Sequence, residues 1–253
     1  MMGRTHAATG VLAGLLTAPL LGVDDPAQIA VFAATTAGYA LLPDLDHPGA
    51  RASRLLGPAS KAASHILRAA SAALYTRTKG PRDEDCTGTH RHLSHTVLFA
   101  LVLGGLAAWG SAASPWIALV VVALGLLLAE NALGDWVLPV ATGAALWWSL
   151  TTSDPLAALD TLGLQLGIAV TVGCITHCLG DALTESGCPL LFPLPIAGET
   201  WYELRPPRFL RFRTGKAVEN VLVFPAVIVA CALAAPGAAP MLVDLVAYLG
   251  TVA

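Results

Sequence analysis

Histidine and aspartate gather in four separated stretches of the chain. They are His6 in "RTHAATG", Asp44, Asp46 and His47 in "LPDLDHPGA", His90, His92 and His95 beside Arg91 in "HRHLSHT", and His177 and Asp181 in "THCLGDALTESG". Carboxylates and neutral imidazoles are ligands of zinc, manganese and iron. His177 and Asp181, four residues apart, share one face of a helix, where a nitrogen and an oxygen can reach the same cation. If "HRHLSHT" is helical, His92 and His95 also share a face, and His90 joins them only if the helix starts near it with Thr89 as cap. Each group has an ordinary role as well: a histidine at a helix start caps or stays hydrated, aspartates after Pro43 form turns, and His177 can bond Asp181 along its helix. Jointly these roles weaken, because grouped ionisable side chains beside an apolar interior are costly when unpaired. A divalent cation removes that cost. More than four donors suggest two or more ions, a device that lowers the pKa of a bridging water and clamps a phosphoryl oxygen.

The elements that must position these residues are membrane helices. Of 253 residues 55% are hydrophobic and 12% charged, and the mean hydropathy is +0.67, whereas a soluble domain carries about 25% charge. Apolar runs lie near residues 7–22, 27–43, 96–113, 116–133, 136–150, 159–179, 218–235 and 240–252. Several are shorter than the roughly 20 residues that cross a hydrocarbon core. The expected fold is an all-α, polytopic helical bundle of six to eight spans forming one domain over residues 1–253, with some helices tilted, short or re-entrant. Continuous rather than alternating runs argue against a β-barrel. The first run contains Pro19, lacks a small-residue cleavage site and leads into a second run, so it reads as a retained span.

All 14 lysines and arginines fall at Arg4, between Arg51 and Arg91, or between Arg205 and Lys216. With eight spans these segments share one face, cytoplasmic by the positive-inside bias, and the four polar stretches lie at the same membrane depth. The opposite connections, such as "GSAASP" and "TTSDP", carry no basic residue, and Trp109, Trp116, Trp147 and Trp148 lie near the outer ends of their spans. Residues 48–92 form a cytoplasmic insertion whose stretch 55–77 is an amphipathic interfacial helix, with His65 on its polar side. "RTKGPRDEDCTG" reads as a mobile loop, and 182–217 as a basic cytoplasmic loop facing lipid head groups rather than nucleic acid. Glu130 and Asp135 read as interfacial acids. Cys86, Cys174, Cys178, Cys188 and Cys231 show no paired framework and read as free thiols. No GxSxG, P-loop or dinucleotide glycine pattern is present.

The order "TH...G", "LPDLDH", "HRxxSHT", "THxxxD...TxxG.PLLFP", from His6 to Pro193, resembles the YdjM-like, LexA-binding, inner-membrane-associated hydrolase family. The resemblance implies His6, Asp44, Asp46, His90, His95, His177 and Asp181 as ligands of divalent metal ions, with His92 outside the fixed pattern. It implies a bacterial inner membrane protein and metal-dependent hydrolysis. A more distant similarity to zinc phospholipase C and its nuclease relatives favours zinc over manganese or iron, and a phosphoester or phospholipid-type substrate. Arg91 is then a candidate for binding phosphate oxygens, and His47 is open between ligand, partner of a ligand and proton donor. The expected partners are membrane lipids, with no direct contact to nucleic acid. Two other readings stand beside this one: a metal or solute transporter, whose ionisable residues should line mid-span, and a non-catalytic adaptor whose basic loops bind a cytoplasmic protein.

Overall fold

A computed structural model describes residues 1–155, 158–159, 162–238, 241, 244 and 247. Eight α-helices run through them: α1 (Gly3–Thr17), α2 (Pro26–Tyr39), α3 (Pro58–Thr78), α4 (Val97–Ala113), α5 (Pro115–Leu133), α6 (Val137–Thr151), α7 (Gly163–Ala182) and α8 (Phe224–Ala234), the last entered through a π-helical turn, Val218–Val223. Among the described residues there is no strand, and β pairing is confined to isolated bridges such as Cys188 with Leu204. The first seven apolar runs each yield a helix. The eighth, 240–252, lies almost wholly outside the described residues. Among the described residues only α5 and α7 are long and apolar enough to cross a membrane by themselves, and the apolar helices Val97–Ala113, Val137–Thr151 and Val218–Ala234 are shorter.

Small residues bring the helices together. Antiparallel to each other, α4 and α7 meet where Gly163 faces Ala112 and Ala108, and Gly167 faces Ala108 and Gly104. Gly10 and Gly14 of α1 lie against Ala37 and Ala33 of α2, Gly38 of α2 lies on the backbone of Gly125 in α5, and Gly173 of α7 lies on Thr36 and Tyr39. Where lipid tails compete equally for apolar side chains, close backbone approach of this kind is what holds helices together. Tyr39 anchors the core of α2, α5 and α7 with Val121, Leu166 and Val170, donating its hydroxyl proton to Val121 O at 3.0 Å. Leu101, Leu106, Val120, Leu146 and Leu150 point outward, as contact with hydrocarbon would require. So do Trp109, Trp116 and Trp147. Trp148 departs from the expected aromatic belt by packing against the Tyr39 core.

The insertion folds onto the bundle rather than away from it. The buried residues of α3 are Ser60, Ser64, Ser71 and Tyr75, while Ile66 is 67% exposed. The serine edge therefore docks on protein and the aliphatic edge faces outward, with His65 exposed. Ser71 Oγ donates to Gly88 O at 2.6 Å and accepts from Leu93 N at 3.2 Å, which ties α3 to the histidine segment. The stretch expected to be a mobile loop is pinned: the Asp83 carboxylate accepts from Gly80 N, Thr200 N and Trp201 N, and Trp201 Nε1 donates to Thr78 Oγ1. A half-buried carboxylate with three backbone donors cannot be released without breaking all three bonds.

Candidate metal centre

Four pieces of backbone converge at one end of the bundle. His6 lies in the second turn of α1, His177 and Asp181 in the last turns of α7, Asp44 and Asp46 in a tight turn, Pro43–Asp46, that follows α2, and His95 in a second tight turn, Leu93–His95, before α4. The close packing of α1, α2 and α7 through Gly10, Gly14 and Gly173 is what brings these ends together.

"HRHLSHT" is not helical at its start. Arg91 has φ 58°, a left-handed conformation that costs a side chain about 1 kcal/mol or more, and the cap of α4 is Thr96, whose hydroxyl accepts from Phe99 N at 3.1 Å, in place of Thr89. The expected helix-face relation of His92 and His95 therefore fails. His92 turns away onto Tyr75 and Trp201, with ring centroids at 4.5 and 5.3 Å, and Cys86 Sγ lies 3.6 Å from its Nε2. His90 and His95 turn toward the aspartates.

Hydrogen bonds fix three imidazoles in one tautomer. His177 Nδ1 donates to Ala40 O at 2.8 Å, since a carbonyl can only accept. His90 Nδ1 donates to Asp46 Oδ1 at 2.5 Å. Ser94 Oγ donates to Asp46 Oδ2 at 2.7 Å, so its lone pair is left to accept from His95 Nδ1 at 3.0 Å. Each Nδ1–H is thereby consumed and each Nε2 is left free to act as a ligand atom. His95 Nε2 and His177 Nε2 then face each other at 3.2 Å. Two lone pairs so aimed repel unless a proton or a cation lies between them.

Around that point lie Asp181 Oδ2, 3.6 Å from His95 Nε2 and 3.7 Å from His177 Nε2, and Asp44 Oδ1, 4.0 and 3.7 Å from the same two atoms. A tetrahedral ion with ligands at about 2.0–2.1 Å needs ligand atoms about 3.3–3.4 Å apart, inside the range seen here. Three overlapping triads form: His6, His177 and Asp181; Asp44, His95 and His177; and Asp44, Asp46 and His90, with the ligand atoms of each within 4.8 Å of one another. Among the described residues neither ring nitrogen of His6 makes a hydrogen bond, nor does Asp181 Oδ2. His6 stacks on His177 with centroids 3.8 Å apart, and its Nε2 lies 3.2 Å from Asp181 Oδ1. The Met1 amino group contacts that same oxygen. This buried set of imidazole nitrogens aimed at carboxylate oxygens fits a divalent ion.

All seven residues expected as ligands are thus within the cluster, in two kinds of position. His6, Asp44, His95 and His177 offer free donor atoms, while the two Asp181 oxygens are shared with the Met1 amino group and Arg91. Asp46, fully buried, has Oδ1 engaged by His90 and Oδ2 by Arg91 N at 3.0 Å as well as Ser94. It holds the imidazoles, and would have to give up one of those bonds to touch an ion. Ser94, which sequence reasoning did not place at the site, completes this relay; its only sequence signal is its place in "HRxxSHT". Arg91 Nη2 lies 2.9 Å from Asp181 Oδ2, and its Nη1 is buried without a partner among the described residues. His47 is exposed at the rim, edge-on to His90 with centroids 4.8 Å apart, its Nδ1 accepting from Gly49 N at 3.1 Å. Glu130 and Asp135 line a separate recess beside Arg51.

The charges settle accordingly. Burial alone would raise the Asp46 pKa, but its bonds to His90 and His95 hold it well below the usual carboxylate range. Asp44 is likewise lowered against burial by His177, His6 and His95. Burial would lower the His95 pKa, but the hydrogen bond and charge of Asp46 override it and push His95 up to about 9. At neutral pH without metal, His95 is therefore an imidazolium whose Nε2–H points at His177 Nε2, where a cation would otherwise lie.

Neither a curated protein nor a solved structure matches the chain. The family described as YdjM inner membrane protein matches residues 1–242, which takes in every residue of the cluster, and the chain belongs to that family.

Proposed function

We propose that the protein is a membrane-embedded metallohydrolase that acts on phosphoesters, with phospholipid-type substrates favoured, at the cytoplasmic face of a bundle of six to eight spans. The carrying observation is the pair of inward-facing Nε2 atoms of His95 and His177, 3.2 Å apart and flanked by Asp44 and Asp181. Zinc suits the nitrogen-rich set, and the overlap of the triads through His177 and Asp44 suits two or more ions. Bound there, such ions supply a water acidic enough to attack at neutral pH and a positive centre for the phosphoryl oxygens.

The chain's own groups do the rest. Arg91, with Nη1 unpartnered, can donate to a phosphate oxygen while Nη2 stays on Asp181. His47 accepts at Nδ1, so its neutral ring carries the proton on Nε2, exposed at the rim and able to protonate a leaving oxygen. Cytoplasmic orientation is supported by the basic residues, all of which lie in the segments joined at this end. The absence of charge from the middle of the α4 and α5 sequences argues against a transport path. Metal analysis of the purified protein, with a panel of a phosphomonoester, a phosphodiester and a phospholipid, tests the reading; a protein without stoichiometric transition metal and inert on all three would sink it.

Two expectations follow from the donor geometry. Asp46→Asn keeps the shape but turns an acceptor into a donor facing Ser94 or Arg91 N, so zinc affinity should fall about 10- to 100-fold, measured by competition with a chromophoric chelator. His95 has a folded pKa of about 9 against an ordinary 6.5. Its proton stabilises the metal-free fold fully below pH 6.5, and that contribution is lost as pH rises through 9. A metal must displace the proton, so affinity should climb about tenfold per pH unit up to about pH 9. Calorimetry in buffers of different ionisation enthalpy should count close to one proton released from this site, and a pH-independent affinity would contradict it.

A further inference from the structure

A cavity of about 330 Å³ opens beside the metal centre, and the two share a wall residue, Asp44. The cavity lies between the start of α1, the end of α5 and the segment after the Pro43–Asp46 turn, and its lining includes the charged Arg4 and Arg51 and the apolar Leu41, Leu128 and Ala132. Asp44 is 25% exposed, whereas His6, His95, His177 and Asp181 are sealed at 1% or less, so on this side the cluster meets the outside through Asp44. The two arginines are steadied by neutral groups: Arg4 Nη2 donates to Asn220 Oδ1 at 2.8 Å and its guanidinium lies over the Phe224 ring, while Arg51 Nη1 donates to Asn131 O. Neither makes an ion pair among the described residues. Beyond these bonds both guanidinium groups keep N–H donors for an anionic ligand, and the acids near Arg51, Glu130 and Asp135, line a separate recess. The leucines and Ala132 of the lining, part of an apolar cluster with Leu124 and Leu133, offer nothing to a sugar or a peptide backbone.

We propose that this cavity binds the substrate as an amphiphilic phosphate, its anion between Arg4 and Arg51 and its first tail carbons against Leu41, Leu128 and Ala132, with the ester directed at Asp44. The inference rests on the hydrolase reading and names its substrate class. Fixed guanidinium groups bind phosphate oxygens in a defined geometry. The apolar wall adds selectivity for a tail that a free inorganic phosphate lacks.

The test is calorimetric binding of hexylphosphonate and methylphosphonate, non-hydrolysable and water-soluble, to full-length protein in nanodiscs with zinc present, with metal content measured on every sample. Hexylphosphonate should bind more tightly than methylphosphonate. Arg51→Ser and Arg4→Ser, both at exposed positions, should each weaken it about tenfold, and Ala132→Phe, which fills the cavity, should weaken hexylphosphonate more than methylphosphonate, all three with metal content unchanged. Equal affinity for the two phosphonates, or binding indifferent to both arginine variants, would overturn the proposal while leaving the hydrolase reading intact. If instead the protein holds no metal and hydrolyses nothing, yet hexylphosphonate binding still depends on Arg51, the cavity stands and the hydrolase reading falls.

Discussion

Asp181→Ala is expected to empty the centre of metal and to lower hydrolysis by about a thousandfold or more, the loss that follows from withdrawing about 4 kcal/mol of charge stabilisation. One carboxylate reaches three imidazoles. Its Oδ2 lies 3.6 and 3.7 Å from the Nε2 atoms of His95 and His177, and its Oδ1 lies 3.2 Å from His6. Removing it takes away the carboxylate that pairs with His6 and Arg91 and one of the two that flank His95 and His177, so an added cation would meet an unneutralised Arg91 with Asp44 as the remaining flanking anion. The fold should survive, because helix packing near the centre runs through glycine and alanine contacts that the substitution does not touch. The informative control lies within the histidine segment itself. His92→Ala should leave metal content unchanged, since His92 packs on Tyr75 and Trp201. Elemental analysis and circular dichroism on both variants decide the matter: Asp181→Ala with full metal content would refute the centre.

Much of this was legible in the sequence because two of its signals are local. Apolar runs set the helices of the bundle to within a few residues, and the i, i+4 spacing of His177 and Asp181 put both on one face of α7, as found. The convergence of four stretches followed from topology, since helices that run back and forth through the bundle return each stretch to the same end. What stayed hidden depends on single dihedrals and on partners distant in sequence. Helical periodicity misplaced His92 because Arg91 takes a left-handed turn that no spacing rule anticipates. The holding role of Asp46 could not be read from "PDLDH", since its partners His90, Arg91 and Ser94 come from a segment more than 40 residues away. The polar stretch 77–88 looks mobile by composition alone; what pins it is the backbone of Thr200 and Trp201.

Gly38→Leu should destabilise the folded protein by about 3 kcal/mol or more, at the upper end of what overpacking costs, because nothing at the contact can yield. A Cβ at Gly38 would overlap the carbonyl of Gly125 across the α2–α5 crossing, and the obstacle is backbone rather than a side chain that can rotate aside. The helices must then separate, which opens the Tyr39 core and drags the turn after α2 that carries Asp44. Metal binding should therefore weaken together with stability, although Gly38 is not among the residues that could hold an ion. Gly143→Leu is the matched comparison: a Cβ there meets nothing within 4 Å, so the substitution should change stability by no more than about 0.5 kcal/mol, with the better helix propensity of leucine in its favour. Thermal melting of the two variants in the same detergent separates them. Melting of Gly38→Leu at the wild-type temperature would mean that the crossing is looser than these contacts require, and the route by which helix packing positions Asp44 would have to run through α1 and α7 alone.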